Sequence, residues 1–144
     1  MRRLIPGLLL LAVFATSAAA CNKSDTTSTV TTPTTTTTTT MVTELFSGTL
    51  TRNGASTYPF TATAGGTVTA TMTTLTPDST LPIGLSLGTW TGSACQVIID
   101  NNSATQAAAI SGTVTSAASL CVRVYDPAEK VTTPSDFTVT IVHP

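Results

Sequence analysis

A strict alternation of threonine with apolar residues is the feature that most constrains what this chain can fold into. Between residues 67 and 73, Val68, Ala70 and Met72 each stand between two threonines. Successive side chains of a β-strand point to opposite faces, so the alternation predicts a strand with an apolar inner face and a hydroxyl outer face. A helix needs an apolar residue every three to four positions, and no such period extends over a useful length.

Similar short runs continue along the chain after Met41, with turn residues between them. Eight strands are predicted, at residues 44–50, 57–63, 67–75, 81–87, 96–100, 107–115, 120–125 and 136–142. Asn101 and Asn102 are expected to end the fifth strand, and Trp90 to lie just past the fourth. Many short strands separated by turn signals are typical of an all-β sandwich or barrel.

The first twenty residues have the layout of an export signal. Arg2 and Arg3 precede an apolar run at residues 4–15, and three alanines follow at 18–20. This basic, apolar and small-residue order is that of a cleaved leader. The apolar run is also shorter than the roughly 20 residues that a membrane-spanning helix needs. We therefore expect residues 1–20 to be removed.

Cys21 directly follows these alanines, and the stretch resembles the lipobox of bacterial lipoproteins. In that family the cysteine takes a diacylglycerol on its sulfur and becomes the mature N-terminus. The resemblance implies lipidation of Cys21 and a membrane partner through the N-terminal lipid. Asn22 stands where an Asp argues for inner-membrane retention, so the expected location is the bacterial cell envelope, at the outer membrane or cell surface. The alternative is plain secretion with Cys21 as a free thiol.

Residues 21–40 are predicted to be a disordered, Thr-rich tether. Beyond Cys21 they are dominated by Thr and Ser and end in seven consecutive threonines. Such a segment has too little apolar surface to form a core. Fully extended, it would reach roughly 60 Å. The predicted organisation is a signal at 1–20, a tether at 21–40 and a β domain at 41–144.

The remaining cysteines, Cys95 and Cys121, form an even pair in an oxidising compartment and predict a disulfide. Two buried free thiols are the alternative. By alternation, Cys121 lies on the outer face of its strand, whereas Cys95 shares the parity of the inward Ile99. A bridge is therefore expected only if Cys95 lies in the loop before the fifth strand.

The order of these pieces resembles the bacterial pre-peptidase C-terminal domain. The matching features are Phe60 with the Gly65–Gly66 turn and Val68, the strand with Ile83, Leu85 and Leu87, and the final strands at 120–125 and 136–141. Leu120 departs from the aromatic residue usual in that family. The resemblance implies an all-β, about eight-stranded, jelly-roll-like sandwich, and a role in binding polymeric substrates or assisting folding.

No arrangement of residues in the sequence points to catalysis, and we expect a protein that is not an enzyme and has no cofactor. His143 is the single histidine and, next to the end of the chain, is expected to be exposed and inert. The acidic residues fall mainly at strand ends, where they usually cap turns. Only 9% of residues are charged, and two of the six basic side chains lie in the leader, which leaves no basic footprint for nucleic acid.

Calcium is the one ion with candidate ligands. Asp100, Asn101 and Asn102 supply clustered oxygens, and Asp126 could join them from another loop. The alternative is that the Asp-Asn-Asn run only forms a turn.

Trp90 and Tyr125 are the candidate ligand-binding residues, because aromatic side chains near strand ends can stack on a sugar ring. The favoured alternative is that Trp90 plugs one end of the sandwich. Two functions follow from the sequence. The first is a surface binding or adhesion module for a polysaccharide or an envelope protein. The alternative is a structural coat component or spacer with no small ligand.

Overall fold

A computed structural model of the chain describes residues 38–144, in which all regular structure is β. The eight strands are β1 (Val42–Leu50), β2 (Ala55–Ala62), β3 (Gly66–Thr76), β4 (Ile83–Trp90), β5 (Cys95–Ala104), β6 (Ala109–Val114), β7 (Ala118–Tyr125) and β8 (Ser135–His143). Within residues 38–144 the chain forms no helix that could span a membrane. The predicted signal, the lipidated Cys21 and the tether up to residue 37 lie outside the described residues.

The strands form two four-stranded antiparallel sheets. The back sheet has the order β1-β8-β3-β6, and the front sheet has the order β2-β7-β4-β5. Sequence neighbours such as β1 and β2 lie in different sheets, and β8 returns to insert between β1 and β3. This is the jelly-roll arrangement of two interlocked Greek keys. The predicted eight-stranded, jelly-roll-like sandwich is confirmed.

The core lies between the sheets and follows the alternation that the sequence predicted. Val68, Ala70 and Met72 of β3 are buried, and so are the inward residues of β7 and β8. Full burial of an aliphatic or aromatic side chain contributes about 1.5–3 kcal/mol each. The compact unit Thr36–Pro144 contains all of these core residues, so this unit has what it needs to fold alone.

Strand β5 differs from the prediction because its register to β4 shifts twice. Ile83 pairs with Ala104 but Leu85 with Asn101, so β5 has one extra residue there and continues past the two asparagines. Leu87 pairs with Ile99 but Gly88 with Val97, which leaves Ile98 as a second bulge. The prediction that the fifth strand ends at Asp100 was wrong.

The disulfide between Cys95 and Cys121 is present, as predicted. Its expected location was wrong, since Cys95 is the first residue of β5 and pairs with Trp90, the last residue of β4. The bulge at Ile98 reverses the alternation, so that Ile99 faces the core while Cys95 faces outward. Both cysteines thereby reach the same outer face.

His143 is buried rather than exposed, with 2% of its surface accessible. It continues the inward alternation of β8 that includes Val139 and Ile141. Its Nε2 lies 3.1 Å from Glu44 Oε1, and its Nδ1 lies 3.1 Å from the Pro144 carbonyl oxygen. The sequence position next to the end of the chain gave the wrong expectation, because the last strand is held within a sheet.

Candidate functional site

The outer face of the front sheet is organised around small residues on its central strand β4. Gly84, Ser86 and Gly88 point outward there, and each is opposite a longer β7 residue, Tyr125, Arg123 and Cys121 in turn. A Cβ atom at Gly84 would clash with the Tyr125 ring, so the ring lies directly over this glycine. Small residues on β4 thus let the β7 side chains lie across the sheet.

Four side chains form a connected polar row on this face: Arg123, Tyr125, Asn102 and Asp100. The Arg123 guanidinium lies over the Tyr125 ring, 4.7 Å from its centroid. The Tyr125 hydroxyl donates to Asn102 Oδ1, and Asn102 Nδ2 donates to Asp100 Oδ2 over 2.8 Å. Residues from two strands that flank β4 are therefore joined above it.

The charges of the polar row act on Tyr125. Burial raises the pKa of the Tyr125 phenol, the Asp100 carboxylate raises it further, and the Arg123 guanidinium partly offsets both. The phenol therefore stays protonated at neutral pH and keeps its hydrogen bond to Asn102. Asp100 and Asn102 are exposed, and Arg123 and Tyr125 are half-buried, so the row presents donors and acceptors to solvent.

Trp90 lies on the same outer face but at the other end of the sheet. It is six residues along β4 from Gly84, which pairs with Tyr125, so the two aromatic residues are separated by about 20 Å. Cys121 lies between them, opposite Gly88. Trp90 is half-buried and is not among the residues packed on the core, which argues against a plug. Trp90 and Tyr125 do not form one compact site.

Asp126, one of the calcium candidates, is committed to the backbone. Its carboxylate accepts N–H groups from Lys130 at 2.8 Å and from Asn53 and Val131 at 3.2 Å each. Burial raises the pKa of this carboxyl, but these backbone hydrogen bonds lower it by more, so the pKa lies below its ordinary value. Asp126 caps the turns after β1 and β7, as expected for an acidic residue at a strand end.

The other calcium candidates do not converge with Asp126. Asn101 Oδ1 accepts the backbone N–H of Ser103 over 3.0 Å, whereas Asp100 and Asn102 belong to the polar row. Within residues 38–144, no group of three or more His, Cys, Asp or Glu side chains is placed to hold a metal ion. The structure therefore does not bring the four candidates together.

The outer face of the back sheet is the predicted threonine face. Its hydroxyls pair across strands: Ser47 with Thr138 at 2.9 Å, Thr69 with Ser111 at 3.0 Å, and Thr140 with Thr73 at 3.3 Å. Asp136 accepts the Thr49 hydroxyl over 2.6 Å. No aromatic side chain points outward from the strands of this sheet in the described part of the chain.

A small apolar cleft opens between the edge strands β5 and β6. Its volume is about 90 Å³, and it is lined mainly by aliphatic side chains such as Ile99, Val114 and Leu120, with Ile98 at its mouth. Pockets that enclose small ligands usually measure about 300–1,000 Å³. The cleft is too small for that role. The polar row is the candidate site because it joins donors and acceptors from two strands in one exposed patch.

The sequence had predicted the outward direction of Tyr125 and Arg123 but not the row they form. Asn102 was expected in a turn, and Arg123 was not singled out. The available signal was a pair of outward residues on one strand beside a strand with small residues at alternate positions, Gly84, Ser86 and Gly88. Such a pattern leaves room for long side chains to lie across the neighbouring strand.

Comparison of the chain with protein-family models finds no matching family, and comparison with curated proteins finds no significant match. The resemblances to the lipobox and to the pre-peptidase C-terminal domain therefore stay predictions.

Proposed function

We propose that this protein is a lipid-anchored bacterial envelope protein whose β-sandwich is a binding or adhesion module for a polysaccharide. The polar row on the front sheet is the observation that carries this proposal. Its guanidinium, phenol, amide and carboxylate groups supply donors and acceptors within one connected patch. A hydroxyl-rich ligand needs both kinds of group side by side.

The length of the face favours a polymer over a small ligand. Trp90 supplies a half-buried aromatic side chain about 20 Å from the polar row along the same outer face. An extended polysaccharide can contact both ends at once, whereas a single sugar can contact only one. Aromatic residues that combine apolar area with a polar group are suited to such contacts.

The row supports binding rather than hydrolysis. It contains one carboxylate, Asp100, whereas glycoside hydrolysis ordinarily uses two that flank the scissile bond. Asp126 is held by three backbone N–H groups and is not free to act as the second.

Binding is tested with the oxidised unit Thr36–Pro144 against envelope and plant polysaccharides, by calorimetry with calcium and with chelator. We expect saturable binding that does not depend on calcium. Arg123→Gln should weaken it by about tenfold or more, because a hydrogen bond to a charged group contributes about 1.5–3 kcal/mol. Trp90→Ala should weaken binding of polymers more than binding of short oligosaccharides.

Thr71→Val, on the outer face of the back sheet, is the matched control and should bind like the parent. A flat response across all polysaccharides would refute the proposal and favour the alternative, a structural coat component.

The anchor is tested separately in cells, where Cys21→Ser should abolish incorporation of a labelled acyl chain. Retention of the label in that variant would rule out lipidation at Cys21.

A further inference from the structure

The four edge strands of the sandwich differ in how they are protected from pairing with another strand. β2 contains Pro59, which has no N–H to donate, β5 carries two bulges, and β6 is only six residues long. β1 has none of these features. It is nine residues long and pairs with β8 at every position without a register shift.

Strand β1 also exposes apolar side chains at its free edge. Leu45 is 67% exposed, and Met41 and Val42 at the N-terminal end of the strand are also exposed. The only charged residue of the strand, Glu44, contacts His143 instead. Within residues 38–144 no strand pairs with this edge. A long, regular edge strand with exposed apolar residues and no charge on its outer face is the kind that natural proteins normally block.

We propose that β1 is an interface for a second copy of this chain. The two β1 strands pair antiparallel across a twofold axis, so that two back sheets join into one continuous eight-stranded sheet. An isologous contact of this kind needs a strand that is complementary to itself.

The residues of β1 satisfy that requirement. Like charges directly opposite each other destabilise an antiparallel pair, and no charge of β1 points to the outer face. A twofold axis beside Leu45 places Leu45 of one copy next to Leu45 of the other. Ser47, which already pairs with Thr138, would extend the cross-strand hydroxyl contacts of the back sheet across the interface.

The test measures molar mass against concentration for the unit Thr36–Pro144 and for the full chain, by sedimentation equilibrium. We expect a reversible monomer–dimer equilibrium. Leu45→Glu should raise the dissociation constant by at least about tenfold, because it places like charges across the twofold axis. Val97→Glu, at an exposed apolar position on the β5 edge, should leave the constant unchanged. Circular dichroism checks that both variants fold.

Amide hydrogen exchange supplies a second measurement that does not depend on a variant. The β1 amides should become more protected as the concentration rises, whereas the β5 edge amides should not. A monomer at every concentration would overturn the proposal, and so would a dimer that only Val97→Glu dissociates. The β1 amides could instead be protected in the full chain at every concentration and lose that protection in the shorter unit. That result would show that residues 1–35 cover the edge, and it would also overturn the proposal.

Discussion

The outer faces of the two sheets differ because their central strands carry different side chains. On the outer face of the back sheet, β3 presents threonines. Thr69 shares a hydrogen bond with Ser111 of β6, and Thr73 shares one with Thr140 of β8. On the front sheet, β4 presents Gly84, Ser86 and Gly88, and residues of β7 lie across them. One face is a layer of short hydroxyls, and the other is a layer of long side chains over small ones.

This difference changes burial as well as chemistry. Residues Ile83 to Gly88 of β4 are buried on both faces, while the outward threonines of β3 are at least partly accessible. The front sheet therefore has a second, thin packing layer formed by Tyr125, Arg123 and the disulfide. In this sandwich, the small side chains of the central strand β4 therefore determine where long side chains such as Tyr125 and Arg123 can lie on the outer face.

Removal of the disulfide should give the largest effect and should act first on the front sheet. We expect Cys95→Ala with Cys121→Ala to lower the free energy of unfolding by about 3 kcal/mol, because the bridge closes a loop with a sequence separation of 26 residues. Denaturant unfolding measures the loss. Amides of β5 should exchange faster by more than those of β8.

Chemical reduction of the unchanged chain is the control, since it opens the bridge and keeps both side chains. A change of less than about 0.5 kcal/mol in both samples would show that the bridge does not stabilise the fold. Equal acceleration of β5 and β8 exchange would show that the two sheets do not differ in local stability.

Asp126→Asn should give the next largest effect, because this residue ties the turn after β1 to the loop after β7. Replacing a charged acceptor of three backbone N–H groups should cost about 1.5–3 kcal/mol at neutral pH. The folded-state pKa of Asp126 lies below its unfolded value, so its contribution is complete above that unfolded value, about pH 4, and is lost as the pH falls through the folded pKa.

The measurement is the stability difference between the parent and Asp126→Asn as a function of pH. The difference should be constant above about pH 5 and should shrink below pH 4. Asp136→Asn on the exposed outer face of the back sheet is the comparison variant and should cost less. A difference that grows in acid would contradict the assignment of Asp126 as an ionised turn cap.

The sequence predicted the faces of β7, of β8 and of β3 up to Met72, because the alternation is uninterrupted there. It failed at β5, because a bulge depends on the register to the partner strand, which alternation within one strand does not reveal. Gly88 allows the Gln96 carbonyl to approach closely, and this lets Ile98 bulge outward and Cys95 turn to the outer face. A glycine inside a strand was the available signal.

The candidate site was likewise predictable only as far as alternation within one strand determines it. Alternation placed Arg123 and Tyr125 outward, as the structure has them, but the contact of Tyr125 with Asn102 requires β5 to continue past Asp100. Trp90 and Tyr125 were paired because both are aromatic and lie near strand ends, and the length of β4 separates them. His143 was misplaced for a related reason, since nothing in the local sequence shows that β8 lies between β1 and β3.

The smallest expected change in stability tests the difference between the two outer faces most directly. Gly84→Ala adds one methyl group beneath the Tyr125 ring, which must move away, and forced repacking typically costs about 1–3 kcal/mol. Thr71→Val adds no volume on the outer face of the back sheet and should change stability by less than about 0.5 kcal/mol. Denaturant unfolding of both variants measures this contrast.

A spectroscopic readout distinguishes displacement of the ring from a general loss of stability. With Tyr58→Phe as the background, Tyr125 is the only tyrosine, and its ionisation is followed by absorbance. Because burial is the main cause of its raised pKa, Gly84→Ala should move that pKa back toward the ordinary value, whereas Thr71→Val should not. An unchanged Tyr125 pKa in Gly84→Ala would mean that the ring does not depend on this glycine. The small residues of β4 would then not be what organises the polar row.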